Sequence, residues 1–323
     1  MATKIDIAQK KPQTVTRSSY LDNYIGQETV IKKMKFFVQS HSLETPFPTV
    51  LLTGSHGLGK TFLAEKLAKS LGRKFIAVNS GMIKKRDDFF KDVISQIHSP
   101  TTIFFDESHQ LNSEMTTILL TLLNPTADHR NTFSHMGVEF VYDLRFVNLI
   151  FATTDAHMMF RPLRNRCYSV YFSPYEQKDL IAILQLYLGY TQLACSHQEL
   201  SDACRSRARN AYQLAQNIKR YANLNKLNTI TTKDWEDIKN IFDIQWRGLT
   251  SEEVKLLRII KDHGPISCSS LALILMVNEN NIKSELEVRL KELNLIKNSS
   301  KGREITTKGL RYFQESDMPA ELF

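Results

Sequence analysis

Cysteine is scarce in this chain of 323 residues, and long apolar runs are missing. The four thiols, Cys167, Cys195, Cys204 and Cys268, form no C-x-x-C pair and no cluster with histidine. Neither a disulfide framework nor a zinc site is indicated. No stretch approaches the roughly twenty apolar residues that a bilayer crossing requires. The opening Met1-Ala2-Thr3-Lys4-Ile5-Asp6-Ile7 lacks the apolar centre of a leader peptide. The expectation is a cytoplasmic protein without a membrane partner. There is also no internal repeat and no low-complexity tract. With 42% apolar and 24% charged residues, the chain has the material of a packed soluble protein. Its length exceeds what one core usually serves, so two or three domains are expected. A net charge of +8 favours an anionic partner without identifying it.

The segment Gly54-Ser55-His56-Gly57-Leu58-Gly59-Lys60-Thr61 matches the phosphate-binding pattern G-x-x-x-x-G-K-[ST]. Val50–Thr53 before it reads as a buried strand, and Phe62–Ala68 after it as an amphipathic helix, the context the pattern requires. In such a loop the glycines turn successive backbone N–H groups toward the phosphates. Lys60 adds a point charge at the β/γ-phosphates, and the Thr61 hydroxyl can ligate Mg²⁺. Thr101-Thr102-Ile103-Phe104-Phe105-Asp106-Glu107 is an apolar run ending in two acids. Both carboxylates would emerge at the carboxyl end of a core strand beside the loop. Asp106 is the expected Mg²⁺ residue, and Glu107 the group that orients and polarises an attacking water, which makes the site hydrolytic.

Along the chain, residues 1–16 are polar and aperiodic and read as a loose tail. A large α/β domain of alternating strands and helices is expected over 17–174, with a hairpin arm at 133–143. A helical lid is expected over 175–247. From 248 to 323 the pattern gives three helices and two short strands, 295–297 and 304–306, around the polar tip 298–303, the layout of a winged helix. Five basic residues, Lys297, Lys301, Arg303, Lys308 and Arg311, stand there against one acid, Glu304. Such an excess suits sequence-independent phosphate contacts, with Lys301 and Arg303 foremost and Lys297 and Arg311 beside them.

The order of Tyr24-Ile25-Gly26-Gln27, the phosphate loop, Asp106-Glu107-Ser108-His109-Gln110-Leu111, Ala152-Thr153-Thr154, Pro162-Leu163-Arg164-Asn165-Arg166 and Arg209-Asn210-Ala211 resembles the RuvB-type Holliday-junction branch-migration ATPases over residues 17–314. The resemblance implies an AAA+ α/β core, a helical lid and a C-terminal winged helix, assembled as a hexameric ring around duplex DNA or a four-way junction. It implies ATP and Mg²⁺ at a site formed by Tyr24, Ile25, Gly54, Gly57, Leu58, Gly59, Lys60, Thr61 and Phe62. Tyr24 and Ile25 would flank the adenine. Thr153 or Thr154, with Thr154 taken forward, would sense the γ-phosphate, and Arg209 would act as the second sensor. Arg164 or Arg166, with Arg164 preferred, would reach a neighbouring subunit's site.

Departures from the family pattern carry expectations too. His56 replaces the usual proline, and Asp155 stands where arginine is usual. The arm, whose tip is read as Asp128–His135, lacks the glycine-rich apolar sequence that docks on the junction-binding partner RuvA, so a RuvA-like partner fits poorly. The alternative function is an AAA+ loader or protein remodeller that uses the winged helix as a docking module.

Overall fold

Strands Val50–Thr53, Thr101–Asp106 and Val147–Thr153 are buried along nearly their whole length rather than on alternate residues. That is the signature of parallel strands with helices on both faces. The computed structural model describes residues 4–7, 19–124 and 126–316. They fall into two units: the first runs to Asp179 and takes in Arg207–Arg209, and the second comprises Leu180–Ser206 and the chain from Asn210 onward.

In the first unit, strands β2 (Val50–Thr53), β3 (Lys74–Asn79), β4 (Thr101–Asp106), β7 (Val147–Thr153) and β8 (Tyr168–Tyr171) form one sheet in the order β3-β4-β7-β2-β8. All its pairings are parallel. Phe105 stacks on Phe89 and Phe151, with centroids 6.3 and 5.2 Å away, so aromatic rings fill the layer between sheet and helices. The carboxyl ends of β4, β7 and β2 lie side by side, where an open α/β sheet presents its binding crevice.

The arm is a separate small sheet in the order β1-β6-β5, of β1 (Lys4–Ile7), β5 (Arg130–His135) and β6 (Val138–Asp143). Met136 (φ 48°) and Gly137 (φ 75°) form its two-residue turn, both in the left-handed region that a tight hairpin turn demands. The tip is therefore Met136-Gly137, and the segment 128–135, expected from the sequence to form it, is mostly the first strand. Phe133 and Phe140 stack at 5.5 Å, and Phe90 of the helix Arg86–Asp92 packs on both, at 5.3 and 5.2 Å. Part of the expected loose tail is a strand: Lys4–Ile7 pairs in parallel with Glu139–Tyr142. Four alternating residues are too short a pattern to distinguish from chance in the sequence. The rest of that tail, 1–3 and 8–16, lies outside the described residues.

The lid helices are His197–Ala203, Ala208–Asn225, which lies in the second unit from Asn210 on, and Thr232–Ile241; Trp235 of the last is buried, and its indole N–H donates to Glu199 Oε2 at 2.8 Å. A short parallel pair, β9 (Gln192–Ala194) and β10 (Thr229–Thr231), joins them. Thr231 and Asp234 cap the last helix reciprocally. The winged helix follows with helices Ser251–His263 and Cys268–Leu275 and a third helical run, Glu279–Glu292, that contains a π turn at Ile282–Leu286. Its hairpin is β11 (Ile296–Ser299) and β12 (Gly302–Ile305), longer than the sequence suggests because only Ser300 and Lys301 form the tip. A final helix, Thr307–Ser316, follows the hairpin in addition to the three that the sequence pattern gives. Leu256, Leu257, Ile260, Leu271, Ile282, Leu290 and Tyr312 form the core of this module.

Candidate nucleotide site and nucleic-acid interface

Gly59 (φ 92°) stands at the start of the helix Lys60–Ser70, with no side chain capping its first N–H groups. Those groups and the positive end of the helix dipole remain available to an anion. Gly54 and Gly57 are also at positive φ, 149° and 77°. A Cβ on Gly54 would meet Phe172 O at 2.9 Å, and one on Gly59 would meet the Tyr24 hydroxyl at 2.6 Å. Lys60 is buried, and its ammonium donates to the carbonyls of Gly54 (2.6 Å) and Ser55 (2.8 Å). Burial pulls its pKa below the ordinary lysine value, Glu107 and Asp106 draw it partly back, and Arg209 adds to the lowering. Thr61 is exposed at the second helical position.

Two tyrosines close one side of this loop. Tyr24 donates to Gly59 O at 3.2 Å and packs its ring against Phe62 at 5.6 Å. Tyr175 donates to Leu58 O at 3.3 Å. Burial raises the pKa of both. Ile25 is half-buried beside them. The sequence reading missed Tyr175, since nothing in its own neighbourhood announces a partner so far back in the chain. Arg209, of the same unit, donates its backbone N–H to Gly57 O at 3.0 Å. Its side chain is exposed.

At the end of β4, Glu107 adopts φ 49°, a left-handed conformation that a residue with a side chain takes at a cost of about 1–3 kcal/mol. Its N–H donates to Asp106 Oδ1 at 3.0 Å. Its Oε1 lies 3.5 Å from His56 Nδ1 and its Oε2 3.4 Å from His109 Nδ1. The same His109 nitrogen lies 2.9 Å from Thr153 Oγ1, which also accepts from Asp155 N–H at 2.9 Å. Thr153 is thus linked to Glu107 through His109. The Thr154 hydroxyl donates to Asp155 Oδ2 at 3.0 Å. Arg164 donates to Ala156 O at 3.0 Å and is half-buried, whereas Arg166 is exposed. Of the two arginines, Arg164, preferred from the sequence, has its guanidinium engaged within its own chain, and Arg166 is the more exposed.

The loop, a buried lysine, a free threonine hydroxyl and a strand-end aspartate fit a magnesium-bound nucleoside triphosphate. Among the described residues no group of three or more His, Cys, Asp and Glu forms a metal cage. A magnesium ion carried largely by phosphate oxygens needs none.

The winged helix corrects one expectation. Arg303 is only 15% exposed and grips the buried Glu287 through Nε at 3.0 Å and Nη2 at 3.3 Å. Burial pushes the Glu287 pKa up, but hydrogen bonds from Arg303 and Lys291 outweigh it and leave it lowered. Arg303 holds the wing to the third helical run and is withdrawn from solvent; sequence could not reveal that its acidic partner lies on another element. Lys301 is exposed at the tip, and Lys297 pairs with Glu304 at 3.3 Å while staying 62% exposed. Behind the wing Arg247, Lys308 and Arg311 line a cleft of about 510 Å³ together with Trp246 and Thr307. The Arg247 guanidinium lies 4.6 Å from the Trp246 ring centre, and Tyr312 packs on that ring at 5.0 Å.

A parallel α/β sheet with this loop and strand-end acid pair, joined to a helical lid and a winged helix, defines an AAA+ ATPase equipped with a nucleic-acid-binding type of module. Residues 16–171 match the model of the Holliday junction DNA helicase RuvB P-loop domain, and residues 246–314 that of the RuvB C-terminal winged helix domain. The chain belongs to the RuvB family. Curated relatives include the Holliday junction branch migration complex subunit RuvB of Ehrlichia canis, 27% identical and aligned over 93% of both chains. The same subunit of Pseudothermotoga lettingae is 28% identical over 92% of this chain and 88% of its own. Among solved structures, Thermotoga maritima RuvB, titled as a Holliday junction branch migration motor, superposes with a TM-score of 0.74 at 24% identity. The match covers 94% of this chain and 99% of that one.

Proposed function

We propose that this chain is an ATP-driven DNA motor that works as a homo-oligomeric ring of six, moving duplex DNA and so driving migration of a four-way junction. The observation that carries this reading is the joining, in one chain, of a complete hydrolytic nucleotide site to a winged helix, in the order and over the length of the RuvB relatives.

ATP is the substrate, its phosphates received by the loop 54–61 and Lys60, and its adenine by Tyr24, Ile25 and Phe62. Thr61 and Asp106 would hold Mg²⁺, which supplies charge neutralisation on the phosphates. Glu107 orients the attacking water and accepts its proton, with Thr153 alongside. Arg209 faces the same site from the start of its helix. Arg166, exposed, reaches a neighbour's site, where a positive charge offsets the charge that develops as the terminal phosphate leaves.

DNA is taken through phosphate contacts by Lys301, Lys297 and the cleft of Arg247, Lys308 and Arg311, with no base reading required. The RuvA-like partner is not part of this reading, since the arm lacks the glycine-rich apolar sequence of the family and Met136 is the one large apolar side chain its turn exposes.

The test is steady-state ATP turnover over a range of protein concentrations, alone and with linear duplex or a synthetic four-way junction, with Lys60→Ala as blank. Turnover that rises with both protein and DNA, together with strand exchange on the junction, supports the motor. Turnover indifferent to DNA supports the remodeller instead.

A further inference from the structure

The phosphate-loop pattern demands only backbone geometry at position 56, yet this chain places an imidazole there. His56 Nδ1 lies 3.5 Å from Glu107 Oε1. On the other side His109 Nδ1 lies 3.4 Å from Oε2, and that nitrogen is shared with Thr153 Oγ1 at 2.9 Å. Oε2 is sealed from solvent and has no hydrogen bond. His109 can aim its one Nδ1 proton at Thr153 or at Glu107, not at both. The carboxylate therefore lacks a dedicated donor on that side and depends on the other oxygen for its orientation.

We propose that His56 is a positioning residue for Glu107, fixing the carboxylate from the phosphate loop while His109 and Thr153 bound it from the strand ends. The proposal rests on the reading of the chain as an ATP hydrolase. Glutamate has several side-chain torsions, and a water held by a swinging carboxylate is seldom in line with the phosphorus. Small errors of placement are costly: about 1 Å can lose roughly a hundredfold in rate. Because His56 belongs to the loop that wraps the phosphates, ordering of that loop and alignment of the glutamate become one event. Asparagine can place an amide N–H close to where Nδ1 stands, so it should replace the contact. Alanine and proline cannot.

The experiment is ATP hydrolysis by the full-length chain, with kcat and KM separated, for His56→Ala, His56→Asn and the blank Lys60→Ala, alongside ADP affinity by calorimetry. The expected result for His56→Ala is a kcat lower by roughly ten- to a hundredfold, with KM and ADP affinity unchanged. His56→Asn should recover most of the rate. A parental or raised kcat in His56→Ala, a loss confined to KM, or an asparagine variant no better than alanine overturns the proposal while leaving the hydrolase reading intact. Parental turnover no higher than that of Lys60→Ala overturns the hydrolase reading, and this proposal with it.

Discussion

Two side chains, Lys60 and Glu107, divide the work of the nucleotide site by their environment. Lys60 is buried and held by two carbonyls, so it is positioned before any phosphate arrives, and its pKa sits below the usual 10.5. The sign follows directly: a lysine with a lowered pKa loses its charge at lower pH than a free one. ADP affinity of the parent should decline on the alkaline side before an ordinary lysine would titrate, whereas Lys60→Arg should hold its affinity over the same range; calorimetry against pH checks this. Glu107 is the complementary case, a carboxylate assigned to the water rather than to the nucleotide. Glu107→Gln is expected to keep ADP affinity and to lower kcat by about 10²–10⁴, the usual worth of a general base. Equal ADP binding with undiminished turnover would remove Glu107 from the chemistry. The left-handed backbone at Glu107 fits the same picture, since strain of this kind persists where surrounding contacts fix it.

At the scale of elements, the wing illustrates how charge and availability part company. Arg303 and Glu287 are both largely buried, and removing the arginine strips the carboxylate of two charge-assisted hydrogen bonds and leaves it with Lys291 alone, at 2.7 Å. Arg303→Ala is expected to destabilise the protein by about 2 kcal/mol, visible as a lower denaturation midpoint, without changing the slope of DNA affinity against salt. The double variant Lys308→Ala with Arg311→Ala should behave oppositely: little change in stability, weaker DNA binding, and a salt slope reduced by roughly two, one for each lost phosphate contact. Filter binding across a salt series, set beside a denaturant titration, separates the two cases. The arm is a second example. Its Phe133 and Phe140 face one another and Phe90, which turns these two rings toward the chain's own core while Met136 of the turn stays exposed.

For the molecule as a whole, the proposed mechanism needs more than one copy of the chain, because an arginine supplied in trans cannot serve the site of its own subunit. Removing such an arginine costs about 10³–10⁵ in rate in comparable phosphoryl transfers. Arg166→Ala is expected to be nearly inactive alone, as is Lys60→Ala. Mixed together they should regain turnover, since the first keeps an intact nucleotide loop and the second keeps an intact arginine. Failure of the mixture to recover, with ring assembly intact by sedimentation, would refute supply in trans by Arg166. The same experiment with Arg164→Ala discriminates between the two arginines.

Much of this was legible from sequence because the signals are local. The phosphate loop is eight consecutive residues, its helix begins at the next step, and β4 announces itself as an apolar run ending in two acids. The lid and the three helices of the winged helix follow from periodicity, and their caps at Thr231 and Thr250 are written in the sequence as threonine followed three residues later by an acid. Local patterning thus determined the parallel α/β core, the lid, the winged helix and the hydrolytic chemistry. What remained required residues far apart in the chain to meet. Tyr175 against Leu58, His56 and His109 about Glu107, Thr153 on His109, Lys4–Ile7 on the arm, and Arg303 on Glu287 each join separate elements. Propensity and periodicity describe neighbours along the chain. Which charge is spent on a partner and which is left for a ligand depends on distances through space, and only the tertiary structure decided that.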